Sequence, residues 1–275
     1  MRVVVTRPAA EGRAWAQALR EAGFDAAALP LIAIAPLAGT DRAALGACWH
    51  GLAEYRAVMF VSAAAVQHFF AAAPAGRHWP DACRAWSPGP GTSAVLRSCG
   101  VAATAIDAPA ADAAQLDSEA LWEAAGHRIA PGDRVLIVRG ARQAPDETPD
   151  DGPGTGHGRA WMAERLARAG AGVTTLAAYR RGAPAWSAAE AARAATWAGP
   201  DTVWLFSNSE AVGHLFALLP PHAAALRGGV ALATHPRIAA AAKAAGFART
   251  EVARPGMAGV LEALRGLDRS IESTG

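Results

Sequence analysis

A chain of 275 residues exceeds one typical domain and fits two of roughly 100–150 residues, each large enough to bury its own core. With 52% hydrophobic and 18% charged residues and a formal net charge of +2, it is too apolar for disorder and holds no Lys/Arg-rich block of the kind that tracks a nucleic-acid backbone. No apolar run approaches the roughly 18–20 residues that cross a bilayer, and the N-terminus shows no secretory leader, so a soluble, cytoplasmic protein with no nucleic-acid or membrane partner is expected.

From the N-terminus, Val3-Val4-Val5 reads as a short strand closed by Thr6-Arg7-Pro8, followed by a helix over residues 11–22 that stops at Gly23. Residues 25–36 are apolar but carry Pro30 and Pro36, which predicts extended chain and not helix. A helix over 40–54, a strand over 58–61, a turn opened by Ser62 and a helix over 63–72 come next. Residues 84–87 lead into Pro88-Gly89-Pro90-Gly91-Thr92 and a helix ending at Gly100, with a strand predicted over 102–106.

Val135-Leu136-Ile137-Val138-Arg139-Gly140 opens a second round, and residues 141–158, rich in Pro, Gly and Asp, predict a mobile loop. A helix over 159–169, extended chain over 172–182 and helices over 187–197 and 210–219 follow. Strands over 202–206, 230–233 and 250–253, a helix ending at Ala245, a last helix and a frayed tail over 269–275 complete the chain. Short strands alternating with helices predict parallel sheets covered on both faces.

The chain also repeats itself. Gly12-Arg13-Ala14-Trp15 returns as Gly158-Arg159-Ala160-Trp161, and Ala65-Val66-x-His68-x-Phe70 returns as Ala211-Val212-x-His214-x-Phe216. Gly12 and Gly158, His68 and His214, and Gly100 and Gly246 are each 146 positions apart, which predicts two copies of one supersecondary plan and a site between them. Residues 25–36 and 172–182 hold the same place in each copy and read as crossings between domains. Each domain then joins the opening of one copy to the remainder of the other: residues 1–35 with 180–268, discontinuous in sequence, and residues 37–171.

In open α/β sheets ligands gather at the carboxyl ends of strands. Arg7, Ser62, Gly89, Gly91-Thr92, Arg139, Ser207-Asn208-Ser209 and Thr234-His235 stand there. Arginines, hydroxyls and helix N-termini suit an anionic ligand, although Ser, Thr and Asn serve equally well as helix caps. The glycines lack the dinucleotide spacing, and there is no P-loop, no H-E-x-x-H and no G-x-S-x-G. His50, His68, His78 and His127 are scattered, and Cys48, Cys83 and Cys99 lack C-x-x-C spacing, which marks them as packing residues; no metal and no cofactor are expected. Tyr179, one of only two tyrosines, stands at the end of the second crossing, where a phenol either donates a proton or simply packs.

Thr6-Arg7-Pro8, Phe60-Val61-Ser62-x-x-Ala65-Val66, Gly89-x-Gly91-Thr92, Val138-Arg139-Gly140, Ala178-Tyr179-Arg180-Arg181, Phe206-Ser207-Asn208-Ser209 and Thr234-His235-Pro236-Arg237 resemble, in this order, the uroporphyrinogen-III synthases. The resemblance covers nearly the whole chain. It implies two similar Rossmann- or flavodoxin-like α/β domains joined by a two-stranded linker, one of them discontinuous. It further implies a lyase, working as a monomer without metal or cofactor, that cyclises hydroxymethylbilane with loss of water and inversion of the last pyrrole ring. Tyr179 would assist departure of the hydroxyl. Arg7, Ser62, Gly91, Thr92, Arg139, Gly140, Arg180, Ser207, Asn208, Ser209 and Thr234 would hold a substrate that carries eight carboxylates. Two departures stand out: Asn208 replaces a serine common in the family, and residues 141–158 exceed its usual turn. The rival expectation is a non-catalytic two-domain binder or sensor of small anions, and a third is a nucleotide-dependent transferase.

Overall fold

The computed structural model describes residues 1–110, 113, 115–142 and 157–272. In chain order its first elements are β1 (Arg2–Val5), α1 (Ala9–Glu21), β2 (Asp25–Ala28), β3 (Ala33–Pro36), α2 (Gly39–Cys48), β4 (Ala57–Phe60) and α3 (Ala63–Ala71). Then come β5 (Arg84–Trp86), α4 (Pro90–Ser98), β6 (Ile106–Asp107), α5 (Ser118–Ala125), β7 (Arg134–Arg142), α6 (His157–Arg168) and β8 (Gly172–Gly182). The last are α7 (Ala188–Thr196), β9 (Thr202–Phe206), α8 (Ser209–Leu218), α9 (Ala223–Gly228), β10 (Val230–Ala233), α10 (Pro236–Ala244), β11 (Arg249–Val252) and α11 (Gly256–Glu272).

The chain divides into two compact units, Met1–Ala33 with Gly182–Gly275, and Ile34–Arg181. The first holds a five-stranded parallel sheet in the order β11-β10-β9-β1-β2. Val3 and Val5 join Val203, Leu205, Val230 and Leu232 against Ala16 and Leu19 of α1 and Val260 and Leu264 of α11. Val4 is equally buried but outside that cluster, as the two-residue period of a strand requires. Both faces being buried, β1 is apolar throughout and does not alternate with polar residues.

The second unit carries the order β3-β8-β7-β4-β5-β6, parallel in the β8-β7-β4-β5-β6 ladder. Val58, Phe60, Leu136 and Val138 face Phe69 of α3 and Leu96 of α4, whereas Ala57, Met59, Val135 and Ile137 face Leu121 of α5 and Met162 and Leu166 of α6. Counted by position in the repeat, β2-β1-β9-β10-β11 and β8-β7-β4-β5-β6 are one spatial order, 2-1-3-4-5, the flavodoxin-like one.

The repeat also shows in how helices stop. At the end of α4, Val101 N–H bonds Leu96 C=O and Gly100 N–H bonds Arg97 C=O; at the end of α10, Phe247 N–H bonds Ala242 C=O and Gly246 N–H bonds Lys243 C=O. Both glycines are left-handed, with φ of 90° and 94°, a conformation that only glycine adopts without steric cost in this Schellman geometry.

Several sequence expectations are corrected. Residues 102–106 form a 3-10 turn over Ala103–Ala105 leading into the two-residue β6, which pairs with β5 only through Ile106 and Asp107. The helix expected over 40–54 is α2 followed by a 3-10 turn, Trp49–Glu54. Residues 25–36, read as a crossing, run from β2 in the first unit's sheet to β3 in the second's, with Pro30 in the break between the two strands. Residues 172–182, read as a crossing, form β8, a full strand paired to β7. The tail expected from 269 continues α11 to Glu272, and of the loop expected over 141–158, Ala141 and Arg142 belong to β7, His157 and Gly158 to α6, while 143–156 lie outside the described residues. Helices α5 and α9 carried too little apolar periodicity to be found from sequence; α5 is set by Asp117, whose side chain accepts from Ala120 N–H at 3.0 Å.

Candidate functional site

In the second unit, α3 follows β4 onto one face of the sheet and α6 follows β7 onto the other, which makes the carboxyl ends of β4 and β7 the topological switch point. Ser62 follows β4 there. Its extended backbone makes it the N-cap of α3, and its Oγ accepts from Ala65 N–H at 3.2 Å.

On the other side, β7 and β8 pair regularly as far as Arg139 with Ala177, then slip so that Gly140 pairs with Tyr179. The bulge lets two successive residues, Ala178 and Tyr179, enter the same buried cluster. The Tyr179 ring passes directly over Gly140, where an added Cβ would lie 2.6 Å from ring carbons Cε2 and Cζ. The phenol thereby reaches across β7, and its hydroxyl lies 3.2 Å from Ser62 Oγ. His68 of α3 stacks on the same ring, with centroids 5.5 Å apart and planes inclined by 26°. Burial pushes the His68 imidazole below its ordinary pKa, so it stacks as the neutral ring at neutral pH. Tyr179 is only 4% exposed, so the ring is held on several sides.

The turn before α4 in this unit is built from hydroxyls. Ser87 Oγ donates to Gly89 C=O at 2.8 Å, and Ser93 Oγ donates to Ser87 Oγ at 2.9 Å, both serines being buried. Gly91 is exposed in the first turn of α4, and Thr92 is largely covered at 7% exposure. Arg139 Nη1 donates to Gly140 C=O at 3.1 Å, and Arg180 Nη2 is 3.0 Å from an Asp41 carboxylate oxygen.

The first unit has its own switch point, between β1, followed by α1, and β9, followed by α8. Thr6 is buried and donates its hydroxyl proton to Leu205 C=O, tying the end of β1 to β9. Arg7 comes next. Its guanidinium carbon lies 4.1 Å from the centroid of the Trp15 ring, and Nη1 is 3.2 Å from Glu11. Burial lowers the Arg7 pKa and Glu11 opposes that shift; the group stays cationic, with a buried Nε that has no hydrogen-bond partner. Asn208 caps α8 through Oδ1, which accepts from Glu210 N–H at 2.7 Å, so its amide oxygen is committed to the backbone. Ser207 and Ser209, on either side of it in sequence, and Thr234, which follows β10, are half-buried, and His235 caps α10, its Nδ1 accepting from Arg237 N–H at 3.1 Å.

The expected site residues thus fall into two groups. Ser62 and Gly140 each meet Tyr179, with Arg139 adjacent on β7; Gly91, Thr92 and Arg180 belong to the same unit. Arg7, Ser207, Asn208, Ser209 and Thr234 belong to the other. His68 is one of several scattered histidines in the sequence, yet its place in the repeat, opposite His214, is a usable signal: His214 Nδ1 lies 2.7 Å from Leu31 C=O, just beyond β2, as His68 meets Tyr179 on β8. The Ser87–Ser93 network left no sequence signal. Among the described residues no group of three or more His, Cys, Asp or Glu stands close enough to hold a metal ion, and no helix is long and apolar enough to cross a membrane. Burial pushes all three thiols up, Cys83 to about 12, as expected of packing residues.

The family model described as uroporphyrinogen-III synthase HemD matches residues 13–148 and 153–262. A mutant uroporphyrinogen III synthase from the extremely thermophilic bacterium Thermus thermophilus has a similar fold, with a TM-score of 0.57 and 15% identity over 99% of both chains. The uroporphyrinogen-III synthetase from Helicobacter pylori is similar at a TM-score of 0.51 and 15% identity, over 97% of this chain and 100% of that one.

Proposed function

The chain belongs to the uroporphyrinogen-III synthase family, and on that premise we propose that it is a lyase of haem biosynthesis that closes hydroxymethylbilane into uroporphyrinogen III. The reaction loses water and inverts the last pyrrole ring. The observation that carries the reading within this chain is the Tyr179 hydroxyl, held by Ser62 at a topological switch point.

The chemistry asks little of side chains beyond one proton. As the C–O bond of the hydroxymethyl group breaks, the phenolic proton of Tyr179 passes to the departing oxygen and water leaves. The cation that remains is an azafulvenium stabilised by its own pyrrole nitrogen. Attack by the substituted carbon of the last ring gives a spiro intermediate; after reopening and inverted closure, the proton lost from the ring returns to the Tyr179 oxygen. Geometry carries the rest, since unguided closure gives the uninverted isomer. Arg7, Arg139 and Arg180, with the N–H groups at the starts of α3, α4, α8 and α10, supply donors for eight substrate carboxylates. The same reading has the protein act in the cytoplasm as a single chain, without a metal or organic cofactor.

Incubation with hydroxymethylbilane and separation of the oxidised isomers tests this: type III product is expected, and type I alone would support a non-catalytic binder. Tyr179→Phe is expected to lower turnover about 100-fold at a nearly constant KM, in line with loss of a general acid. Unchanged turnover would remove Tyr179 from the mechanism. Replacing Arg7, Arg139 and Arg180 together by Ala is expected to raise KM at least tenfold and to flatten its dependence on salt.

A further inference from the structure

The Ser62–Tyr179 pair holds more than proximity. At 3.2 Å either hydroxyl can be the donor, and the two polarities have opposite consequences for a proton that must leave the phenol. A hydroxyl has one proton and two lone pairs. One lone pair of Ser62 Oγ is already taken by Ala65 N–H. If Tyr179 donated to Ser62, its single proton would be spent inside the protein. If Ser62 donates, the phenol accepts one bond and its own proton is left for a ligand.

Local electrostatics favour the second arrangement. Ser62 caps the N-terminus of α3, a helix of nine residues, so its oxygen sits at the positive end of the helix and receives an N–H bond. Both effects draw electron density from Oγ and make its proton a better donor. The accepting phenol oxygen is held still by the His68 ring stacked on one part of it and by β7 beneath, where Gly140 has no Cβ to displace it.

We infer that Ser62 donates its hydroxyl proton to Tyr179 Oη and is therefore a positioning residue for the phenol, not a ligand of the substrate. The inference rests on the reading that Tyr179 supplies the proton for hydroxyl departure. In that step the Tyr179 O–H bond breaks, the proton goes to the departing oxygen, and the negative charge left on Oη is met by the Ser62 O–H. The charge disappears when the ring-closure proton returns.

The test compares Ser62→Ala with Ser62→Thr, which keeps a hydroxyl at the cap. Because Tyr55 and Tyr179 are the only tyrosines, labelling tyrosine Cζ with carbon-13 gives two resonances, and Tyr55→Phe assigns them. Hydrogen-bond donation moves a phenol Cζ toward higher shift and acceptance toward lower. Ser62→Ala is therefore expected to move the Tyr179 resonance to higher shift and to lower kcat about tenfold with KM within a factor of two, and Ser62→Thr to restore both. A move to lower shift would mean that Tyr179 is the donor, and an unchanged kcat would mean that Ser62 does not position the phenol; either overturns the inference. A salt-dependent rise in KM with the resonance unmoved would make Ser62 a substrate ligand and overturn it as well. The resonance reports the pair even if no type III product forms, so failure of the proposed function is read separately.

Discussion

Gly140→Ala is expected to abolish most activity, lowering kcat at least 100-fold, although the substitution adds a single methyl group. The added Cβ would stand 2.6 Å from Tyr179 Cε2 and Cζ and 3.0 Å from its hydroxyl. Neither side has an easy retreat: Gly140 is paired into the β7–β8 ladder, and Tyr179 is 4% exposed beneath His68. Overpacking of this kind costs about 1–3 kcal/mol and is relieved by the movable partner, so the ring swings away from Ser62. Thermal unfolding and turnover separate the two consequences. In a Tyr179→Ala background, itself destabilised by loss of a buried ring, Gly140→Ala is expected to add little further cost to stability, while activity stays lost. Were Gly140 needed only for close approach of a substrate carboxylate, Gly140→Ala would raise KM, spare stability and leave Tyr179 in place.

The second large effect concerns stability alone. Asp107, at the end of β6 and 8% exposed, receives bonds from Arg84 Nε at 2.8 Å and Arg84 Nη2 at 2.5 Å, and lies 3.4 Å from Arg128 Nε. The fork binds β5 to β6, the short outermost strand of the six-stranded sheet. The carboxylate raises the Arg84 pKa, first through its hydrogen bonds. Removing one partner of a mostly buried pair leaves the other charge uncompensated. Arg84 is one-fifth exposed and keeps its bond to Thr104 C=O, which moderates the loss. Asp107→Ala is expected to destabilise by about 2–3 kcal/mol, a fall in Tm of roughly 5–10 °C, with kcat of the folded protein unchanged. A fall under about 1 °C in a calorimetric scan would show that the pair contributes nothing.

Much of the strand and helix plan could be read from the chain because it depends on local pattern. Buried parallel strands such as 58–60 and 203–206 are continuous apolar runs, and the helices between them end at glycines whose left-handed turn has a local signature. What was not legible depends on neighbours. Residues 172–182 read as extended, but nothing within the segment shows that it pairs with β7 as far as Arg181 before the chain passes to the other unit. Residues 102–106 have strand composition, but pairing is confined to Ile106 and Asp107 beside the three-residue β5, an extent fixed by the neighbouring strand and not by the segment itself.

For the site, the order of residues along the chain carries the inventory: which residue types stand at the carboxyl ends of strands, the 146-residue echo, and the family whose motifs they compose. What each residue does there emerges from the folded arrangement alone. Ser62 and Tyr179 are 117 positions apart and meet because β4 and β8 flank β7; Gly140 matters through an atom it lacks; Arg7 is joined to Trp15 and Glu11, not presented alone. Composition and spacing report what a segment prefers, whereas hydrogen-bond polarity, ring stacking and steric clearance are properties of pairs, and pairs from distant parts of the chain exist only once strand order and register have brought them together.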